Sequence, residues 1–398
     1  LETIIPILFF GAILIQLIYI LFIFTKLSRH RDLESGEVLP PVSVIIASSN
    51  ELENIRALLP LLDQQDYPNF EILVADDRSS DGTYDYLINN PDSIQHLSYL
   101  RVQDLPDHYT AKKYAVTLAV KKAKYPWLLF TDADCRPTSD QWIRQMVAQA
   151  AGNKEIVLGF SRYQYLPGRL NALIRYETFQ TALQYLSFAL AGIPFMGVGR
   201  NLMYKKDLFW RNGGFSGHNT LLSGDDDLFV NKASNHFNVS ICTAESAQTV
   251  SEPKTTWKEW YVQKKRHLSV GKKYKTRDRI NLGLLWISGI MVWLLLLPTL
   301  FVLPAWFSAP EWSRIPVEFL AQYGIKHWYA FNDWMRLIGG VFFFYILVKW
   351  IVLTQVNKRL GNTINSWKIP FYDLAYTLYL VVLGIVTLFT NPQKIKWK

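Results

Sequence analysis

The stretch PWLLFTDADC, Pro126–Cys135, poses the question that decides the fold. An unbroken apolar run, Trp127 to Phe130, leads through Thr131 into two carboxylates one residue apart, Asp132 and Asp134. A short continuous apolar run reads as a strand buried on both faces. Carboxylates are costly to bury unpaired, so this strand ends at a site and not inside a core.

The pattern recurs upstream. PPVSVIIASSN opens on a Pro-Pro break and a β-branched run, Val42 to Ile46. FEILVADD is a second strand, and it ends in Asp76 and Asp77. Between them, ELENIRALLPLLDQQ carries Ile55, Leu58, Leu59 and Leu62 at helical spacing. AKKYAVTLAVKKA reads as a basic helix leading to the Trp127 strand. Strands alternating with helices predict an α/β domain with a mainly parallel sheet. Ligands bind such sheets at the carboxyl ends of the strands, where both acidic pairs lie. Two strand-end carboxylates suit a hard divalent cation, Mg²⁺ or Mn²⁺, that also takes oxygens from a substrate phosphate. A solvated turn or a helix cap is the plainer reading of the triplet taken alone.

The 398-residue chain is half hydrophobic and carries a formal net charge of +9. Ile4–Phe24 is free of charge and as long as a membrane span, about 20 residues. Lys26, Arg29 and Arg31 follow it, which places the residues beyond in the cytoplasm. Residues 1–25 are therefore expected to form an uncleaved anchor in the inner or plasma membrane. Apolar segments return at Leu282–Phe307, Leu337–Leu353 and Leu374–Phe389, so 281–398 is expected to be a membrane region of about three helices. Four crossings leave Lys394, Lys396 and Lys398 outside, against the positive-inside rule, unless one late segment lies in the interface. The basic cluster Lys264, Lys265, Arg266, Lys272, Lys273, Arg277 and Arg279 abuts the second span, and no nucleic-acid motif accompanies it. The charge thus argues for a membrane face or a phosphorylated substrate and against nucleic acid. Cys135 and Cys242 are the two cysteines, and nothing has zinc-site spacing.

The order VSVIIASSNE, ILVADDRSSDGT, AKKYAV, FTDADC, GVGRNLMYKK, NGGF, SGDDDLFVN, QKKRHLS resembles the family 2 glycosyltransferases of the GT-A fold. It is most similar to their membrane-embedded branch of hyaluronan, chitin and cellulose synthases and ceramide glucosyltransferase-like enzymes. The resemblance covers about residues 40–275, within an expected cytoplasmic domain at 40–280. It implies nucleotide-binding acids at Asp76 and Asp77, a donor-facing lysine at Lys112, and a metal-binding D-x-D at Asp132 and Asp134. It also implies a catalytic base at Asp226, with Asp225 as the runner-up, and a Q-x-x-R-W equivalent at Gln263 and Arg266. His267 stands where that family has tryptophan, a smaller platform for stacking on a sugar, which weakens the signature of a processive enzyme. Gly197, Gly199 and Asn201 are expected in the acceptor region. Leu173, Tyr176, Phe179, Leu183, Leu186 and Leu190 are spaced as an amphipathic helix, near 169–195, that lies in the membrane interface or packs on the sheet.

The resulting expectation is an inverting, metal-dependent transferase. It moves a sugar from a nucleotide sugar, uridine-linked by the resemblance, to a lipid-linked or membrane-embedded acceptor at the cytoplasmic face. A processive polysaccharide synthase is the alternative, with a glycan acceptor. An inactive membrane scaffold is the alternative of another class.

Overall fold

The computed structural model describes residues 4–36, 38–89, 93–307 and 327–389. Its central sheet contains β1 (Val42–Ser48), β2 (Phe70–Asp77), β3 (Leu97–Val102), β4 (Trp127–Phe130), β6 (Ile156–Leu158), β8 (Leu202–Lys205) and β9 (Val239–Ile241). Their order is β3-β2-β1-β4-β8-β6-β9. Only β8 runs antiparallel to its neighbours. A second sheet, β5-β10-β7, is formed by β5 (Cys135–Pro137), β7 (Ser161–Tyr163) and β10 (Thr249–Ser251).

Strand alternation explains the unbroken apolar runs. In β4, Leu128 and Phe130 join one core cluster while Trp127 and Leu129 join the other. In β2, Leu73 and Ala75 face the first cluster while Ile72 and Val74 face the second. Successive side chains point to opposite faces, so a sheet covered on both sides needs apolar residues at every position.

The second cluster is covered by α3 (Leu52–Asp63), where Ile55, Leu58, Leu59 and Leu62 are all buried, and by α6 (Trp142–Ala148). The first takes in α5 (Ala111–Lys122) and the long helix Arg169–Leu190 and runs on without a break into the apolar helices. The sequence pattern predicts a one-sided amphipathic helix at this long segment. The structure differs: Ala182 to Ala189 are buried all round, whereas Leu173 and Leu190 are only half-buried. The reason is that the helix lies between β7 and β9 on one side and the apolar helices on the other, so both faces of its second half are covered.

Among the described residues, three helices are long and apolar enough to cross a membrane: Ile4–Arg29, Thr276–Leu300 and Met335–Arg359. The fourth expected segment lies in a helix, Ile369–Phe389, and the terminal lysines fall outside the described residues. The first and second of these helices pack closely. Gln16 donates to the Leu285 carbonyl at 2.7 Å and to Ser288 Oγ at 2.9 Å. An amide that found no partner within a bilayer would be costly, and these bonds meet that need.

Candidate active site

The carboxyl ends of β2, β1 and β4 lie side by side. Asp76 is in register with Ser48, and the Thr131 N–H donates to the Ile45 carbonyl at 3.3 Å. The turns that leave β1 and β2 are clipped together. The Asn50 N–H donates to Ser79 Oγ, and Asn50 Oδ1 accepts from the Ser80 N–H, each at 2.8 Å. Asn50 and Arg78 both take left-handed backbone, with φ of 56° and 53°. Asparagine tolerates that conformation; arginine adopts it only where its surroundings enforce it.

Asp76 is fully buried. Its Oδ2 accepts from the Ser79 N–H at 3.4 Å and lies 3.8 Å from Arg101 Nε, while its Oδ1 has no partner among the described residues. Burial pushes its carboxyl above the ordinary range, with hydrogen bonds from Ser79 opposing. Asp77 pairs with Arg78 Nε at 2.9 Å.

Lys112 stands between two acidic segments. Its ammonium lies 2.9 Å from Asp132 Oδ1 and 3.1 Å from Asp225 Oδ2. Burial works against that charge, but Asp132, Asp225 and Asp226 outweigh it and hold the group protonated well above the usual lysine range. A pocket beside it is lined by Asp132, Gly199, Asp225 and Asp226 over an apolar floor of Ile45, Phe130 and Tyr204. Residues more than a hundred positions apart thus meet around one cation.

The three acids of SGDDDLF have three environments. For Asp225, burial opposes ionisation, but the Lys112 charge overrides it and keeps the carboxyl below the ordinary range. Asp226 caps α9 (Asp227–Ala233): its Oδ1 accepts from the Asp227 N–H at 2.8 Å and its Oδ2 from the Gly199 N–H at 2.7 Å. Burial and the Asp225 charge raise its carboxyl. Asp227 is pushed up to about 8 by burial and Asp226, and it accepts from the Tyr274 hydroxyl at 2.9 Å.

Gly199 opens a short 3₁₀ turn, Gly199–Asn201, and a Cβ there would stand 3.3 Å from Asp226 Cβ and Oδ2. A Cβ at Gly197 would meet Val230, Leu158 and Leu202 at 3.0–3.1 Å, so this glycine serves close packing. Asn201 is fully buried. Its amide donates to the Phe160 and Ala247 carbonyls and accepts from Trp142 Nε1. Both amide hydrogens are therefore spent on the scaffold. In α10 (Trp257–Gly271), Gln263 donates to the Tyr163 hydroxyl at 3.3 Å. Arg266 Nη2 lies 3.5 Å from His267 Nε2, and His267 is exposed.

Residues 43–213 match the family described as Glycosyl transferase family 2. That stretch is less than half of the chain, and over it the chain is similar to the family 2 glycosyltransferases. It is similar to glycosyltransferase AglE of Haloferax volcanii, with 29% identity over 198 residues. That match covers 49% of this chain and 62% of the relative, so it spans less than two thirds of AglE. The fold is similar to that of the mannosyltransferase PcManGT of Pyrobaculum calidifontis, solved with GDP-Man and Mn²⁺. The TM-score is 0.54 at 20% identity, covering 90% of this chain and 98% of that one, a likeness of fold.

Two basic residues beside the site carry no local sequence signal. Lys113, beside Lys112, is buried, and its ammonium donates to the carbonyls of His218, Leu221 and Ser223 at 2.6, 2.7 and 2.8 Å. Burial lowers it to about 8. Arg200 lies next to the D-x-D. Nothing local marks either one, since their partners lie on segments remote in sequence.

The residues fit a hard divalent cation. Asp134 is raised by burial and by the Asp132 charge, a repulsion that a cation would relieve. Among the described residues no group of three His, Cys, Asp or Glu side chains could hold a metal. This suits an ion that takes its remaining ligands from phosphate and water.

Proposed function

We propose that this chain transfers a sugar, with inversion, from a nucleoside diphosphate sugar to a lipid-linked or membrane-embedded acceptor at the cytoplasmic face. The observation that carries this reading is Lys112 joining Asp132 to Asp225. It brings the proposed donor-side acid and the proposed base-side loop to one pocket. Asp76 and Asp77 would accept from base or ribose donors, and Asp132 and Asp134 would hold Mg²⁺ or Mn²⁺. When bound, that ion would supply positive charge to the departing diphosphate.

Asp226 is the proposed base. A base works best when its pKa is near the operating pH, and Asp226 is raised while Asp225 is depressed by Lys112. Its two backbone bonds fix the carboxylate in place, and a carboxylate has further lone pairs for an acceptor hydroxyl. No enzyme nucleophile is required, because the hydroxyl attacks the anomeric carbon directly as Asp226 takes its proton.

The membrane reading is supported by the long helix Arg169–Leu190, which sits between the sheet and the apolar helices. The decisive experiment incubates detergent-purified protein with uridine- and guanosine-linked sugars and a membrane lipid extract. A labelled product that enters organic solvent and stops growing is expected. A long carbohydrate-only polymer would establish the synthase instead, and no donor turnover would leave a binding scaffold.

A further inference from the structure

Three carboxylates, Asp132, Asp225 and Asp226, line the pocket, Asp134 lies two residues beyond Asp132, and Lys112 is already paired with two of the three. A phosphate-bearing substrate brought there meets negative charge. A bound divalent cation would offset part of it, and a further fixed positive group would offset more. Arg200 is placed to be that group.

Arg200 is anchored at its carbonyl and along the face of its guanidinium. Its carbonyl accepts from Thr131 Oγ1 and Thr249 Oγ1, each at 3.1 Å. Thr131 immediately precedes Asp132, and Thr249 starts β10, whose Ser251 donates to Asp134 Oδ2 at 3.3 Å. The guanidinium lies over the Tyr163 ring, with Cζ 4.3 Å from its centre, and that tyrosine's hydroxyl accepts from Gln263. A flat guanidinium stacks on an aromatic face and keeps its in-plane N–H groups free to point sideways. Its Nη1 is buried and has no acceptor among the described residues. Among the described residues no carboxylate closes onto it as an ion pair, although the charges of Asp134 and Asp132 act on it. A buried N–H of a charged group left without a partner is costly, and such cases point to a missing partner.

We propose that Arg200 is a substrate-contacting residue that donates to a phosphate oxygen beside the Asp132–Asp134 pair. The oxygen belongs either to the donor's diphosphate or to a phosphate on the acceptor lipid. This inference rests on the transferase reading above. The same 3₁₀ turn also sends the Gly199 N–H to Asp226, so one rigid segment would register a phosphate against the proposed base.

The test compares wild type with R200K and R200Q by calorimetry. The probes are inorganic pyrophosphate without metal, UDP and GDP with Mn²⁺, and micelles carrying phosphatidic acid or, as control, diacylglycerol. R200Q should lose about 10- to 100-fold in affinity for the phosphate it contacts, the scale of a charge-assisted hydrogen bond. R200K should lose less but not recover fully, because lysine lacks the planar fork. Loss on pyrophosphate and a nucleoside diphosphate assigns the contact to the donor. Loss confined to phosphatidic acid assigns it to the acceptor. Unchanged affinity for every probe, with only a lowered Tm, would make Arg200 a scaffold residue and overturn the inference. If R200Q does not fold, R200K alone decides by the same criterion. A wild type that binds no probe would remove the proposed function, and this inference with it.

Discussion

The backbone N–H of Gly199 donates to Asp226 Oδ2 at 2.7 Å, across 27 positions of sequence. A Cβ at residue 199 would stand 3.3 Å from that same oxygen. Gly199→Ala therefore displaces the Asp226 carboxylate by a few tenths of an ångström without removing it. Small errors in the placement of a base are expensive, so kcat should fall about 10- to 100-fold. The KM for the nucleotide sugar should hardly change. Steady-state kinetics on the purified variant checks this.

Asp226→Asn keeps the shape and one accepting oxygen but removes the base. Transfer should fall by roughly 10²–10⁴, the range that general-base catalysis supplies, while nucleoside diphosphate binding persists. If Asp225→Asn shows this behaviour and Asp226→Asn stays active, the two roles are exchanged.

Asp134→Ala should abolish transfer and metal-dependent nucleotide binding with little change in Tm. The carboxylate accepts from Ser251 Oγ at 3.3 Å and weakly from the Cys135 thiol at 3.6 Å and is repelled by Asp132, so the fold gains little from it. Chelator should reproduce the loss in wild type, and titration with Mn²⁺ or Mg²⁺ should reverse it. Full activity in chelator would sink the metal role.

Lys113→Met leaves the carbonyls of His218, Leu221 and Ser223 without their shared donor. The His218 carbonyl keeps the Leu221 N–H at 3.1 Å, while a carbonyl left with no donor costs about 1–3 kcal/mol when fully buried. Tm should drop by several degrees, and kcat should fall with it, because that loop leads directly into Asp225 and Asp226. Thermal unfolding together with kinetics tests this, and a variant with wild-type Tm would refute the loop-anchoring role.

Asp227 gives a pH dependence. Its folded-state pKa, about 8, lies above the ordinary carboxylate value, so the folded chain binds more protons than the unfolded chain between the two. This group's contribution is fully present below its unfolded pKa and is lost as pH rises toward 8. The Tm of wild type should decline over that window. Asp227→Asn, which can still accept from Tyr274, should decline less. Equal slopes in differential scanning across pH 5 to 8 would remove the assignment.

Strands β1, β2 and β4, the acids at the end of β2 and after β4 and the buried face of α3 were legible in the sequence. Unbroken apolar runs, β-branched composition and helical spacing are local signals, set by burial on one or both faces. The resemblance in motif order also pointed to the pairs Asp76–Asp77 and Asp132–Asp134 and to the SGDDDLF acids. Tertiary structure alone decided which charges meet: Lys112 with Asp225, Lys113 with three loop carbonyls, and Arg200 over Tyr163. It also spent the Asn201 amide on the scaffold and buried residues 182–189 of the long helix on all sides. These outcomes depend on residues that are distant in sequence. A lysine on a basic helix has the same local pattern whether it faces water, a carboxylate or a ring of carbonyls, and only the packing of remote segments selects among the three.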